Sequence, residues 1–127
     1  MLKTLTAGLI LSTLAVGAIG AIAATVEPAL MGKTAKGTIM VDAKGMTLYS
    51  FDKDVVGKSN CNDKCAVEWP PLKAGANAKA NGNWTIVIRD DKSHMWAYKG
   101  HPLYTFIDDK KAGDATGDNK DGFHLAV

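Results

Sequence analysis

The feature that most constrains this chain is that part of it occurs twice. Shifted by 55 positions, Lys44-Gly45-Met46-Thr47-Leu48-Tyr49-Ser50-Phe51-Asp52-Lys53-Asp54 falls on Lys99-Gly100-His101-Pro102-Leu103-Tyr104-Thr105-Phe106-Ile107-Asp108-Asp109, with six of eleven positions identical. Two copies are too few for a solenoid, which needs at least ~3 repeats to bury its faces. The physical reading is two similar hairpins packed about a pseudo-two-fold axis around one shared core. Alternation within each copy agrees with this. In a strand, Tyr49 and Phe51 share one face while Leu48 takes the other, and Tyr104 and Phe106 do the same in the second copy. Two aromatic pairs on facing elements supply much of a core. Asp54 and Asp109 each follow the Phe by three residues, where a strand ends and a carboxylate accepts amide hydrogens of the next turn. Gly57 and Gly113 then let the chain reverse.

Six short β-rich runs surround these motifs, at 37–41, 46–51, 84–89, 94–98, 103–107 and 123–127. Turn chemistry separates them at Asp42-Ala43-Lys44-Gly45, Asp90-Asp91-Lys92 and Lys99-Gly100. Residues 62–69 fit two helical turns, stopped by Pro70-Pro71. The expected fold is mainly β: a small antiparallel sandwich or open barrel from two repeated hairpins, with at most one short helix. Residues 1–23 read as a signal peptide, with Lys3 ahead of an uncharged run that ends in Ala21-Ile22-Ala23. A retained membrane anchor is the alternative, because the run approaches the ~20 residues that span a bilayer. Residues 24–36 read as a lead-in segment, and 37–127 as a single β-rich domain containing both repeats.

Export bears on the two cysteines. Cys61 and Cys65 are the whole cysteine content, and in an oxidising compartment one pair reads as a structural disulfide. A dithiol redox centre is the alternative, although such centres use Cys-x-x-Cys and the spacing here is Cys-x-x-x-Cys. Zinc would need two more well-spaced ligands, and haem attachment would need a His where Ala66 stands.

Charge and motif content exclude several functions. Lys plus Arg number 15 against 13 Asp plus Glu, so the chain lacks the basic excess of a nucleic-acid binder, and no nucleic-acid partner is expected. Gly57-Lys58-Ser59 resembles the end of a phosphate loop, but Asp52 stands at the first glycine position. Asp52, Asp54 and Gly57 match part of a calcium loop, but Val56 occupies an oxygen-ligand position. No nucleophile–base motif is present, so no catalytic residues and no cofactor are expected. Imidazole and thioether suit copper, and Met46, His101 and His124 are the candidate metal ligands.

Several pieces together resemble a known bacterial family. They are Tyr49-Ser50-Phe51-Asp52-Lys53-Asp54 and Tyr104-Thr105-Phe106-Ile107-Asp108-Asp109, Cys61 with Cys65 and Ala66, Trp69-Pro70-Pro71-Leu72, and Phe123-His124. The chain is similar to the secreted repeat of unknown function, also described as predicted lipoproteins with a Tyr-x-(Phe/Trp/Tyr)-x-x-Asp motif. The likeness covers nearly all of 37–127. It implies an exported bacterial β-rich domain and brings no activity with it. No lipidation cysteine is present near residue 23, so no lipid anchor is expected. The expected function is a non-catalytic binding or interaction module, periplasmic or secreted, whose partner is an envelope protein or a small ligand. The alternative is a periplasmic transition-metal-binding or redox accessory protein.

Overall fold

The computed structural model describes residues 27–127, so the expected signal peptide at 1–23 lies outside the described residues. Seven strands and one short helix run in the order β1 (Leu30–Thr34), β2 (Gly37–Val41), β3 (Tyr49–Phe51), α1 (Lys64–Glu68), β4 (Trp84–Ile88), β5 (His94–Tyr98), β6 (His101–Pro102), β7 (Phe123–Leu125). They form three small antiparallel sheets, β1-β2, β3-β7 and β4-β5-β6, and no closed barrel. The fold is therefore mainly β with one short helix, as the repeat and turn pattern implied.

The duplicated segments meet at their tyrosines. Tyr49 donates its amide to the Tyr104 carbonyl at 2.8 Å, and Tyr104 returns the bond at 2.9 Å. Pairs of equivalent bonds spread outward from this point. The Leu72 amide bonds the Leu103 carbonyl at 2.9 Å, and the Ala126 amide bonds the Leu48 carbonyl at 2.9 Å. Leu103 donates to Trp96 at 3.2 Å, and Leu48 donates to Met40 at 3.0 Å. Gly57 (φ 75°) donates to Gly100 at 3.0 Å, while Gly113 (φ 92°) donates to Gly45 at 3.2 Å. Both donors sit in the left-handed region, where a glycine avoids the Cβ clash. Each repeat is thus a hairpin, a Tyr-x-Phe strand, a loop and a return segment, and its second and fourth parts pair with the other repeat.

The alternation read from the sequence separates two buried clusters. Tyr49, Tyr104, Phe106, Trp69 and Phe123 belong to one, with Phe51 packed against it. Leu48 and Leu103 belong to the other, with Met40, Trp84 and Ala126. The first cluster contains a column of four stacked rings. Phe51 lies on Phe123 with centroids 4.2 Å apart, Phe123 on Trp69 at 3.8 Å, and Trp69 on Phe106 at 4.3 Å. The repeat-related Phe51 and Phe106 are its two ends. Tyr49 meets Trp69 and Tyr104 meets Phe123 near perpendicular, at 5.2 and 5.3 Å. Perpendicular contact at the edge of a ring whose faces are taken is the favourable geometry for its quadrupole.

Three local expectations need correction. Of the segment expected as a lead-in, 24–36, residues Leu30–Thr34 form β1, paired with β2 from Leu30↔Val41 to Thr34↔Gly37. Its side chains lie largely in solvent, so it carries no hydrophobic period, and its place is set by pairing with β2. The run 103–107 is not a regular strand. Its neighbour is Trp69-Pro70-Pro71-Leu72, and two prolines cannot donate to a ladder. What remains is isolated bonding: Thr105 to the Pro70 carbonyl at 2.8 Å and Ile107 to the Glu68 carbonyl at 2.9 Å. The regular part of 46–51 is only Tyr49–Phe51, while Thr47 makes a lone bridge to Val41.

The column gives a graded expectation. Phe106 is 3% exposed, so Phe106→Ala should cost about 3–5 kcal/mol in urea unfolding, whereas half-buried Phe51→Ala should cost about half as much. Equal costs would mean that the two ends of the column are not packed as described.

Candidate functional site

The motif tyrosines and aspartates join across the repeats. Tyr49 donates its hydroxyl to Asp109 Oδ2 at 2.7 Å, and Tyr104 donates to Asp54 Oδ2 at 2.6 Å. Each aspartate also does what its strand-end position implied. Asp54 Oδ1 accepts the Asn60 amide at 2.6 Å, and Asp109 Oδ1 accepts the Thr116 amide at 2.8 Å and its hydroxyl at 2.7 Å. The carboxylate of one repeat therefore closes its own loop and holds the phenol of the other.

The two clamps differ in their surroundings. Tyr49 Oη receives the Gly117 amide at 3.1 Å. Tyr104 Oη lies 2.6 Å from Ser59 Oγ, and Ser59 Oγ in turn accepts Arg89 Nη1 at 2.9 Å. Tyr104 donates its hydroxyl hydrogen bond to Asp54, so Ser59 donates to Tyr104, and the order is Arg89 to Ser59 to Tyr104 to Asp54. Arg89 is 4% exposed and also donates from Nη2 to the Cys61 carbonyl at 2.6 Å. Burial, followed by the carboxylate hydrogen bond, pushes both phenols above their ordinary values. Burial also raises Asp54, against the opposing pull of the Asn60 amide and the Tyr104 hydroxyl.

The remaining candidate residues are placed as follows. Cys61 and Cys65 form a disulfide with Cα atoms 5.2 Å apart, at the start of α1. His124, on β7, has both ring nitrogens occupied, Nε2 by Asp52 Oδ2 at 2.7 Å and Nδ1 by Asn119 Oδ1 at 2.8 Å. His101 is exposed on β6, and Met46 lies in the turn after β2 with its amide on Asp42 Oδ1 at 2.9 Å. Among the described residues, no group of three or more His, Cys, Asp or Glu is arranged to hold a metal. Tyr49, Phe51, Asp54, Tyr104, Phe106 and Asp109 are all drawn into one interior and its two clamps.

A cleft of about 220 Å³ opens beside β2, β3, β6 and β7. Met40, Leu103, Leu125 and Ala126 form apolar walls, and Ser50, Tyr98 and His101 bring polar groups to it. The other concave surfaces are of a different kind: one is lined by Asp63, Asp90, Asp91 and Arg89. Apolar walls with a few convergent polar groups are the usual character of a small-molecule site.

The model of the secreted repeat of unknown function matches the chain twice, over residues 31–73 and 85–124. The chain belongs to that family. Its two matched units divide where the pseudo-two-fold axis divides the structure, and the family is described as secreted. Among the described residues no helix is long and apolar enough to cross a membrane. No curated protein and no solved structure matches the chain.

Sequence reasoning missed Arg89, Ser59 and the partner exchange between clamps. Arg89 reads as the polar end of a strand, and nothing local distinguishes a buried arginine from a solvated one. The exchange itself had a signal: two segments of the same Tyr-x-Phe-x-x-Asp pattern about a two-fold axis can pair reciprocally.

Tyr49→Phe and Tyr104→Phe should each cost about 1–3 kcal/mol in urea unfolding, because each leaves a carboxylate short of a donor. Tyr49→Phe combined with Asp109→Asn should cost clearly less than the two single changes added together; strict additivity would rule out a coupled clamp. Asp54 also predicts a pH effect. The folded chain holds its proton more tightly than the unfolded chain does, so its contribution is full below the ordinary aspartate value near ~3.9 and is lost as pH rises. Asp54→Asn removes that loss. Relative to the parent protein, its stability should rise as pH climbs above the ordinary aspartate value near ~3.9, and a flat difference would count against it.

Proposed function

We propose that this exported protein is a non-catalytic binding module whose binding surface is the apolar cleft beside β2, β3, β6 and β7. The observation that carries this reading is the use of the motif's polar groups. Both tyrosines and both aspartates are spent on each other and on loop amides, and burial keeps the phenols protonated. Ser59, at 1% exposure, is bonded to Tyr104 and Arg89 and has no imidazole beside it among its bonded partners. The repeat then builds a rigid frame, and recognition falls to what the frame leaves concave and accessible.

The test is a titration of the full chain with a mixed panel of small molecules, read from backbone amide shifts. Saturable shifts should cluster at Ser50, Tyr98, His101, Leu103 and Leu125. Shifts scattered over the surface, or none at the cleft, would sink the reading.

A second reading, a transition-metal or redox accessory protein, has one observation in its favour. The Met40 thioether and the His101 imidazole line the same cleft, and both are ligands that copper accepts. Stoichiometric copper binding lost in His101→Ala would promote it over the first.

A further inference from the structure

The three-stranded sheet ends on β4, whose strand partner is β5 alone. The bonds at either end of this ladder fix how β4 is turned. The Lys99 amide bonds the Asn83 carbonyl, and the Arg89 amide bonds the Ser93 carbonyl, each at 2.8 Å. Backbone groups alternate along a strand, so Thr85 and Val87 face β5, while Trp84, Ile86 and Ile88 face the open side. Trp84 is satisfied there: its amide bonds the Asn81 carbonyl at 3.0 Å and its carbonyl takes the Asn81 amide at 2.8 Å. Among the described residues, the amides and carbonyls of Ile86 and Ile88 have no partner. The Ile88 side chain is also 66% exposed.

Another outer strand, β1, is guarded where β4 is not. The Met40 amide bonds Ala126 and its carbonyl takes the Leu48 amide, so Ile39 and Val41 face β1, and on β1 Met31 and Lys33 face outward. A lysine at an open position is a standard barrier to edge-to-edge pairing. The open positions of β4 carry no charge, and Thr85-Ile86-Val87-Ile88 is β-branched throughout.

An open strand edge recruits another strand, and the length of this one selects which. The opening spans only Ile86 to Ile88. The Asn81 turn fills the outer side of the strand before it, and the chain turns back toward β5 at Asp90 after it. A long foreign strand would run into Asn81. A second copy fits between the two limits. With a two-fold axis at Val87, Ile86 of each copy faces Ile88 of the other, and every open donor and acceptor on both edges is used. The second chain then turns away at Asp90, before it reaches the space that Asn81 fills. Thr85 faces Arg89 and Trp84 faces Asp90, so no like charges are opposed. We infer that β4 pairs antiparallel with β4 of a second copy of this chain, joining two three-stranded sheets into one through Ile86 and Ile88. The interface is self-complementary, as a two-fold dimer requires, and β4 lines no part of the cleft.

The test is sedimentation equilibrium with residue-resolved amide exchange on the full chain, from about 10 µM to 1 mM, a span suited to a small interface. A monomer–dimer equilibrium should appear, and exchange at Ile86 and Ile88 should slow as the dimer forms, while Met31 and Lys33 stay fast. Ile88→Lys, at an exposed position, should weaken the dimer about tenfold or more. Ile86→Pro removes a donor that the fold itself does not use and should abolish the dimer; if that variant does not fold, Ile88→Lys decides. A monomer at every concentration, a dimer that leaves Ile86 and Ile88 in fast exchange, or an Ile88→Lys variant that dimerises like the parent would overturn the pairing. Protection of these two amides that comes with added envelope extract and not with concentration would give the edge to a foreign strand and overturn the second copy.

Discussion

The structure depends on an exchange: each repeat's phenol is held by the other repeat's carboxylate. A buried carboxylate or phenol without a partner costs free energy, and Asp109 at 5% exposure has little water to turn to. Asp109 is satisfied by Tyr49, Thr116 and its own loop, Asp54 by Tyr104 and Asn60. Remove one repeat and the remaining loop keeps its amide contacts but loses the hydroxyl that completes its carboxylate. The backbone pairing runs the same way, since β3 finds its strand partner in β7 and the Trp69–Leu72 segment finds its partner in 103–107. Polar satisfaction and the β3-β7 sheet therefore require both copies together.

The aromatic column explains why the exchange can be buried at all. Trp69 and Phe123 have ring neighbours on both faces and tyrosines at their edges, so the phenols leave the core with their hydroxyls at its boundary. This packing has a cost. The Trp69 indole nitrogen is buried and has no hydrogen-bond partner among the described residues. An unmade bond of that kind costs about 1–3 kcal/mol. Burying the indole between Phe123 and Phe106 returns a comparable or larger amount through transfer and stacking. The ring's position is decided by its faces, and its nitrogen goes where the column puts it.

What was legible in the sequence followed from periodicity. The parity of Leu48 against Tyr49, and of Leu103 against Tyr104, assigned four residues to two clusters, and the structure has them there. The Asp-to-turn spacing gave the carboxylates their loop amides, and one cysteine pair in an exported chain gave the disulfide. What stayed hidden was non-local. β1 has no buried stripe to announce it, and β6 is cut short because the neighbouring segment carries prolines. Met40 with Ala126 and Trp96 with Leu72 are equivalent pairs across the axis. Those positions lie outside the aligned eleven residues, so comparison of the motifs alone does not reach them. Met46, His101 and His124 were read as one chemical type, yet the fold gives them separate surroundings: a turn, an exposed short strand, and a ring held by Asp52 and Asn119.

The disulfide belongs to only one repeat, and its role follows from that asymmetry. A loop closed between Cys61 and Cys65 is short, so its entropic effect on the unfolded chain lies at the low end of the ~2–4 kcal/mol range. Its position counts for more. The Cys61 carbonyl and the Ser59 hydroxyl are the main acceptors of Arg89, a buried cation that breaks the apolar interior unless its hydrogens are taken. Arg89 in turn places positive charge on the side of the Asp54 carboxylate and offsets part of the penalty of burial. The second clamp has no cation; Asp109 is stabilised by a closer set of local donors, Thr116 contributing both amide and hydroxyl. One repeat thus satisfies its carboxylate from its own loop. The other takes one amide of its own loop, from Asn60, and adds the favourable charge of an arginine that donates to the Cys61 carbonyl beside the disulfide.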